Sequence, residues 1–442
     1  MRCKFFNKFR LYIRNTSWIL GGYFFRLLTG FFVLIFIARY LGPKKFGILS
    51  YAGSLTAIFA TTAHMGLNGL VVRELVKKID VRNEILGSAV ALKCCGAFFG
   101  FFLICIVAIN TEDINSPSFW VIVIIASSLL FKPSEIFAFW FEAHVQAKYT
   151  SIASVISHFF TGSLNIFLVV FGANLYFFAF ANLFQAFVFA LLLWLFYCRY
   201  SDLPIQRWLA SFRKSKELLG QSWIVFLGSI FANVYLKIDQ VMLKWMIGAK
   251  EVGIYSVAST LSEIWYFMPV AIMASFYPRL IKLHESKPDV FKKRFQQLLN
   301  LLSFLALIVI LLVTLMAKPF VDLFYGVAYQ ASSAILIVHI WASIFVFMRA
   351  AFSKWILIEN VLMFSLITQG FGAIINICSN FLLIPKYGGS GAALATLASY
   401  AMASYFSLLF YQKSRPIFWM MTRSLIAPVI YFYAMIRRVK WH

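Results

Sequence analysis

Twelve runs of roughly 20 or more apolar residues follow one another along this chain, and no other feature limits its fold so severely. They occupy 16–40, 46–72, 85–109, 118–141, 151–171, 175–197, 221–246, 252–277, 297–317, 330–352, 361–384 and 389–411 of 442 residues. Turn-forming or charged spacers separate them, among them Leu41-Gly42-Pro43-Lys44 and Gly172-Ala173-Asn174. Hydrophobic residues make up 62% of the chain and charged residues 13%. Soluble domains run near ~45–50% and ~25%, and no water-soluble shape buries so much apolar surface. The runs are too long for strands and show no alternation, so helices that satisfy their own backbone in lipid are the expected structure. The first run follows a basic stretch, as the apolar part of a signal peptide does. It continues through 16–40 without a small-residue cleavage site and is expected to be retained.

The charges set an orientation. Lys and Arg number 40 against 16 Asp and Glu, a formal net charge of +24. The N-terminal stretch and every second loop after it carry 28 of those 40 basic residues, with clusters at Arg73–Arg82, Arg199–Lys216 and Arg279–Arg294. The opposite loops hold only Lys44, Lys45, Lys250, Lys318 and Lys386. By the positive-inside rule both ends are cytoplasmic. Because the basic residues are divided among loops and build no separate domain, nucleic acid is excluded as a partner. The apolar stretch 416–436 contains Pro416, Arg423 and Pro428 and reads as an interfacial segment.

One segment returns. Leu41-Gly42-Pro43-Lys44-Lys45-Phe46-Gly47-Ile48-Leu49-Ser50-Tyr51-Ala52 reappears as Ile247-Gly248-Ala249-Lys250-Glu251-Val252-Gly253-Ile254-Tyr255-Ser256-Val257-Ala258, and Ser17-Trp18-Ile19 as Ser222-Trp223-Ile224. Both copies cross the turn between the first and second span of a six-span half. Six spans is an even offset, so the halves form a parallel repeat about an axis along the membrane normal. The expectation is an all-α polytopic membrane protein of about 12 transmembrane helices in two six-helix lobes, 1–205 and 206–412, with a basic cytoplasmic or interfacial tail at 413–442. Two lobes around a central cavity is a transporter's plan.

Several signals are missing. The sequence has no P-loop, no H-E-x-x-H and no G-x-S-x-G. Its six cysteines lie scattered in apolar stretches, with neither a disulfide framework nor a metal-ligand spacing. The outward loops are too short for an extracytoplasmic catalytic domain. Transport is favoured over chemistry.

Seven basic residues fall within or beside spans: Arg26, Arg39, Lys93, Lys132, Lys237, Lys244 and Arg349. The acidic ones are Glu135, Asp239 and Glu263. A charge at mid-bilayer costs about 2.5–3.5 kcal/mol on insertion scales, so a central one faces a wet cavity or a partner. Arg39, Lys93, Lys244 and Arg349 lie close enough to span ends to snorkel. Lys132 and Glu135 are three apart and can pair on one helix face; Lys237 and Asp239, two apart, cannot. Arg26, Asp239 and Glu263 are the strongest cavity candidates, and a helix-packing ion pair is the plainer role for them. His64, His158 and His339 read as packing residues before proton carriers. Gly96 and Gly100 form a G-x-x-x-G, the usual mark of close helix packing in a span. The excess of buried positive charge favours an anionic cargo.

The run Asn15-Thr16-Ser17-Trp18 through Ile37-Ala38-Arg39-Tyr40-Leu41-Gly42-Pro43 and Phe46-Gly47-Ile48-Leu49-Ser50-Tyr51-Ala52 resembles the O-antigen flippase (Wzx) family. So do Val71-Val72-Arg73-Glu74-Leu75, Lys237-Ile238-Asp239-Gln240-Val241-Met242-Leu243 and Leu261-Ser262-Glu263. The family belongs to the multidrug/oligosaccharidyl-lipid/polysaccharide superfamily. The resemblance covers nearly the whole chain and implies a MATE-like two-lobed bundle in a bacterial inner membrane. It implies a flippase that carries undecaprenyl-diphosphate-linked oligosaccharide from the cytoplasmic to the periplasmic leaflet, with other polysaccharide assembly proteins as partners. Basic cavity residues would hold the diphosphate, and a proton or sodium gradient would drive the cycle, with no cofactor. Glu142-Ala143-His144 departs from the pattern, since relatives commonly have a Gln-Gly turn there.

On this reading Arg26, Lys237 and Lys132 form the cationic substrate site, and Asp239, Glu263 and Glu135 are the ion-coupling candidates. Lobes rocking about the repeat interface would give alternating access. A lipid II or multidrug exporter of the same superfamily, or a membrane glycan polymerase, is the alternative.

Overall fold

The computed structural model describes the backbone of residues 2–439 and the side chains of 14–427. Among these residues every regular element is helical. The helices are α1 (Arg2–His64), α2 (Asn68–Lys77), α3 (Arg82–Thr111), α4 (Pro117–Ala126), α5 (Glu135–Ala143), α6 (Ala147–Val170), α7 (Leu175–Tyr200) and α8 (Phe212–Met246). They continue as α9 (Ala249–Glu263), α10 (Phe267–Ser286), α11 (Pro288–Phe324), α12 (Ala331–His339), α13 (Ser343–Ile358), α14 (Leu362–Ser404) and α15 (Arg415–Val439). Ten stretches among the described residues are long and apolar enough to cross a membrane. The chain is an all-α polytopic membrane protein. Rings such as Phe98, Phe102, Phe159 and Phe160 are exposed along these helices, as lipid as solvent requires.

Two of the ten stretches, Arg14–Lys77 and Leu362–Phe410, far exceed one bilayer crossing. Each is interrupted inside its long helix. Gly42 has φ 69° and ψ 170°, a conformation that excludes most side chains. Pro43 then lacks the N–H that would continue the ladder. Gly388 (φ 56°, ψ −134°) does the same in α14, three residues after Pro385. The repeated segment folds alike in both copies: Gly248, the counterpart of Gly42, has φ 130° and ψ 175° and immediately precedes α9. The second apolar run ends at His64, short of the expected 72. Met65 and Gly66 take left-handed φ of 46° and 65°, and 68–77 forms the separate helix α2.

Three expected spans are broken by 3-10 turns: 118–141 at Ser127–Ser134, 252–277 at Ile264–Tyr266, and 330–352 at Ile340–Ala342. The first and third are the fourth and tenth runs, equivalent under the six-span repeat. Such breaks often mark functional hinges, and here Lys132, Glu135, Glu263 and His339 stand within or beside them.

The chain divides into two compact units, 1–233 and 234–442. In the first, α1 packs on α3, α4 and α6, and α6 packs on α7. Gly96 lies so close to Thr62 that a Cβ would collide with its carbonyl, and Thr62 Oγ1 donates to the Gly96 carbonyl at 2.8 Å. The G-x-x-x-G is a packing seam. Leu67, Val71, Leu75, Leu86, Phe139, Trp140 and Tyr197 form a buried apolar cluster in this unit. In the second unit α9 packs on α12, α11 on α12, α13 and α15, and α13 on α14. The described part of 416–436 lies along α11. Ser303 donates to Ser424 Oγ at 2.9 Å, Gln296 Nε2 to the Met420 carbonyl at 2.9 Å, and Met421 and Ser424 are buried.

Candidate functional site

In the first unit the 3-10 stretch Ser127–Ser134 sets the geometry. Residues three apart eclipse on such a turn, which stacks Lys132 against Glu135 at 3.0 Å. Glu135 then gathers two further bases from other helices. Lys93 Nζ of α3 lies 3.0 Å from its Oε2, and His64 Nδ1 from the end of α1 lies at 3.2 Å. Lys93 does not snorkel as expected: its side chain is fully buried, and its ammonium also sits 5.2 Å from the Phe139 ring centre. The ammonium is held between the carboxylate and the ring instead of at a span end.

Beside this cluster opens a cavity of ≈ 660 Å³ whose wall includes Arg26, His64, Lys132, Glu135, His158 and Gln185. Arg26, half-buried on α1, donates through Nη1 to Ser154 Oγ of α6 at 2.7 Å. A second cavity, ≈ 330 Å³, shares Arg26, His158, Asn182 and Gln185 with the first. His158 is fixed by the Ser154 carbonyl at 2.9 Å and Gln185 Nε2 at 3.1 Å. Two of the three expected cationic residues, Arg26 and Lys132, thus line one chamber with Glu135. Counting Lys93 behind the carboxylate, three basic side chains stand around one acidic one.

Lys237 belongs to the second unit. There its Nζ pairs with Glu263 Oε2 at 3.2 Å, both side chains being partly exposed. Asp239, two residues on, faces elsewhere as its spacing demands. It is buried, and its hydrogen-bond partners among the described residues are all neutral: Tyr255 Oη donates at 2.7 Å, Asn380 Nδ2 at 2.6 Å, and Thr396 Oγ1 also donates. Asn376 Oδ1 accepts from Asn380 at 3.0 Å, and His339 faces the Tyr255 ring with centroids 5.9 Å apart. Glu135 and Glu263 have lysine partners; the donors that reach Asp239 are all uncharged groups.

Arg349 also departs from the snorkelling expectation. Its Nη1 donates to the Ala403 carbonyl at 2.8 Å and to Thr368 Oγ1 at 3.1 Å, and its Nη2 to Ser365 Oγ at 3.3 Å. It ties α13 to α14 by spending its donors on protein oxygens. Arg39 is exposed, in keeping with a residue near a span end. Among the described residues no group of three or more His, Cys, Asp or Glu is placed to hold a metal, and the five described cysteines are free thiols.

A polar stripe lies between the charged positions. Ser154, Ser157, His158, Thr161 and Asn165 recur at helical spacing along the otherwise apolar α6, and all five line the two cavities. The signal was there in the period, but single Ser, Thr and Asn residues are cheap enough in a membrane helix to pass unnoticed.

Residues 12–284, more than half the chain, match the family model described as "Polysaccharide biosynthesis protein". A Shigella flexneri protein named "Putative O-antigen transporter" is 25% identical over 332 residues, 73% of this chain and 78% of that one. Among solved structures, an inward-facing multidrug resistance MATE family transporter of the MOP superfamily superposes with a TM-score of 0.72 at 13% identity, covering 90% of this chain and 96% of the other. The lipid II flippase MurJ in an inward closed conformation gives 0.70 at 15% identity over 93% and 92% of the two chains. The fold is that of the MOP-superfamily transporters, and the chain belongs to the polysaccharide biosynthesis protein family.

Proposed function

We propose that this protein is a flippase that moves an undecaprenyl-diphosphate-linked oligosaccharide, an O-antigen unit or a related repeat unit, from the cytoplasmic to the periplasmic leaflet of a bacterial inner membrane. The observation that carries the reading is the chamber of the first unit, where Arg26 and Lys132 line one wall and Lys93 backs Glu135. A positive cavity in low-dielectric surroundings draws a diphosphate in and repels cationic drugs. Membership of the polysaccharide biosynthesis family supports a glycan as the rest of the cargo, and the polyprenyl tail would stay in lipid while the sugars cross.

Twelve crossings fit this reading, because the interruptions at Gly42 and Gly388 split the two longest of the ten stretches. With twelve crossings and the bias of basic loops, both termini are cytoplasmic. The two six-span halves, 1–205 and 206–412, would then alternate access by rocking. Asp239 is the best placed of the three coupling candidates. A buried carboxylate with only neutral partners must take up a proton or a cation to lose its charge, whereas Glu135 and Glu263 already have lysines.

The deciding experiment is the leaflet location of lipid-linked oligosaccharide in cells with and without this chain, read with a glycan-specific probe on vesicles of known orientation. Accumulation on the cytoplasmic side after deletion, rescued by the wild type, is the expected result. Unchanged distribution would overturn the flippase reading, and single repeat units accumulating outside would point to a polymerase instead.

A further inference from the structure

In the second unit α10 and α11 pack together on either side of a turn at Lys287. They enclose a cavity of ≈ 260 Å³ that none of the residues assigned to transport lines. Its apolar wall is made by Phe276, Leu280 and Leu283 of α10 and by Leu298 and Leu301 of α11. Leu280 and Leu298 are buried and form its floor, whereas Phe276 and Leu301 are exposed at its rim. Its polar wall is Arg279 from one helix and Arg294 and Gln297 from the other, with no acidic side chain. Both arginines are exposed. Among the described residues Arg279 has neither a hydrogen bond nor an ion pair, and Arg294 spends one donor on Gln297 Oε1 at 2.9 Å. A guanidinium carries five.

The level of the arginines along the hairpin is informative. The apolar run 252–277 ends two residues before Arg279, and the run 297–317 begins three residues after Arg294. The two guanidinium groups therefore stand where hydrocarbon gives way to headgroups, and the apolar rim of the cavity begins on the hydrocarbon side of them. Residues 279–294 hold six basic side chains against two acidic ones, Glu285 and Asp289, and neither acid lines the cavity. His284 is tied to Glu359 at 2.9 Å. Arginine forks match phosphate oxygens, and basic pockets between helices at the cytoplasmic face suit acidic headgroups.

We propose that this cavity is a binding site for an acidic phospholipid of the surrounding leaflet, its phosphate held between Arg279 and Arg294 and an acyl chain laid over Leu280 and Leu298. The proposal goes beyond the flippase reading and does not depend on it. The basic loops place the site in the cytoplasmic leaflet. A bound lipid there would pin the α10–α11 hairpin to the membrane surface.

The test uses the purified full chain in lipid-free detergent, with bound lipid counted by native mass spectrometry. Phosphatidylglycerol should bind about tenfold more tightly than phosphatidylcholine with the same acyl chains. Arg279→Gln with Arg294→Gln should weaken phosphatidylglycerol binding about thirtyfold, and Arg279→Gln alone about fivefold. Unfolding temperatures without lipid should match the wild type, since Arg279 has no protein partner to lose. Lys292→Gln with Lys293→Gln removes the same charge from positions outside the cavity and should change binding by less than about threefold. An equal loss in the lysine variant would mean that net charge alone attracts lipid, and would overturn the site. Equal binding of the two phospholipids, or displacement by inorganic phosphate, would overturn it as well. So would undecaprenyl diphosphate displacing phosphatidylglycerol when present at lower concentration, because the cavity would then receive a polyprenyl lipid.

Discussion

Lys93 Nζ of α3 and Glu135 Oε2 at the start of α5 lie 3.0 Å apart, with the lysine side chain wholly shielded from solvent. The carboxylate is shared with Lys132 and His64, so the partners are not equally replaceable. Glu135 has other bases to hold; among the described residues Lys93 has one carboxylate within ion-pair distance.

Glu135→Gln should therefore destabilise the first unit by about 3–5 kcal/mol, the usual cost of leaving a buried charge without its partner. Lys93→Met should cost less, because Glu135 keeps Lys132. The double variant should be more stable than Glu135→Gln alone. Thermal unfolding of the purified protein in detergent would check this, and additive losses in the double variant would refute the pairing.

Arg26→Ala should abolish export with insertion and folding intact, since among the described residues the one hydrogen bond it forfeits is that to Ser154. Export and membrane abundance should be measured on the same cells. Arg26→Lys restores the charge without the bidentate fork, so full export by that variant would mean that charge alone suffices. Wild-type export by Arg26→Ala would remove Arg26 from the substrate site.

Asp239→Asn keeps an oxygen that accepts from Tyr255 and Thr396, and its new NH₂ faces Asn380, whose amide must turn its unpartnered oxygen to accept. It should abolish the dependence of export on an imposed proton or sodium gradient in oriented vesicles. A variant that still responds to the gradient like the wild type would exclude Asp239 as the coupling group.

Val145→Gly should stabilise the protein by about 1–2 kcal/mol, the cost of a left-handed conformation for a residue with a Cβ. Val145 has φ 57° at the end of α5, where its N–H reaches the Glu142 carbonyl at 3.1 Å and Gln146 N–H reaches that of Phe141 at 2.8 Å. The segment Glu142-Ala143-His144 thus leads into a strained backbone position. A higher unfolding temperature for Val145→Gly is the expected reading, and a lower one would show that the side chain contributes more than the strain costs.

The apolar runs alone determined that this chain is helical and membrane-embedded, because lipid offers no partner to an unpaired backbone and leaves a 20-residue apolar stretch essentially one solution. The glycine turn at Gly42 and its repeat at Gly248 were equally legible, since both are local. The i,i+3 pairing of Lys132 with Glu135 was readable from spacing for the same reason. Tertiary structure alone decided where the remaining charges went. Lys93 is 42 residues from Glu135 and Lys237 is 26 from Glu263, and distance along the chain carries no information about which helices become neighbours. Depth within a span suggested that Lys93 and Arg349 reach for water; the packing of other helices offered each a nearer acceptor. The polar stripe on α6 was visible as a period, but only the packing of the helices around α6 shows that its five residues line two cavities.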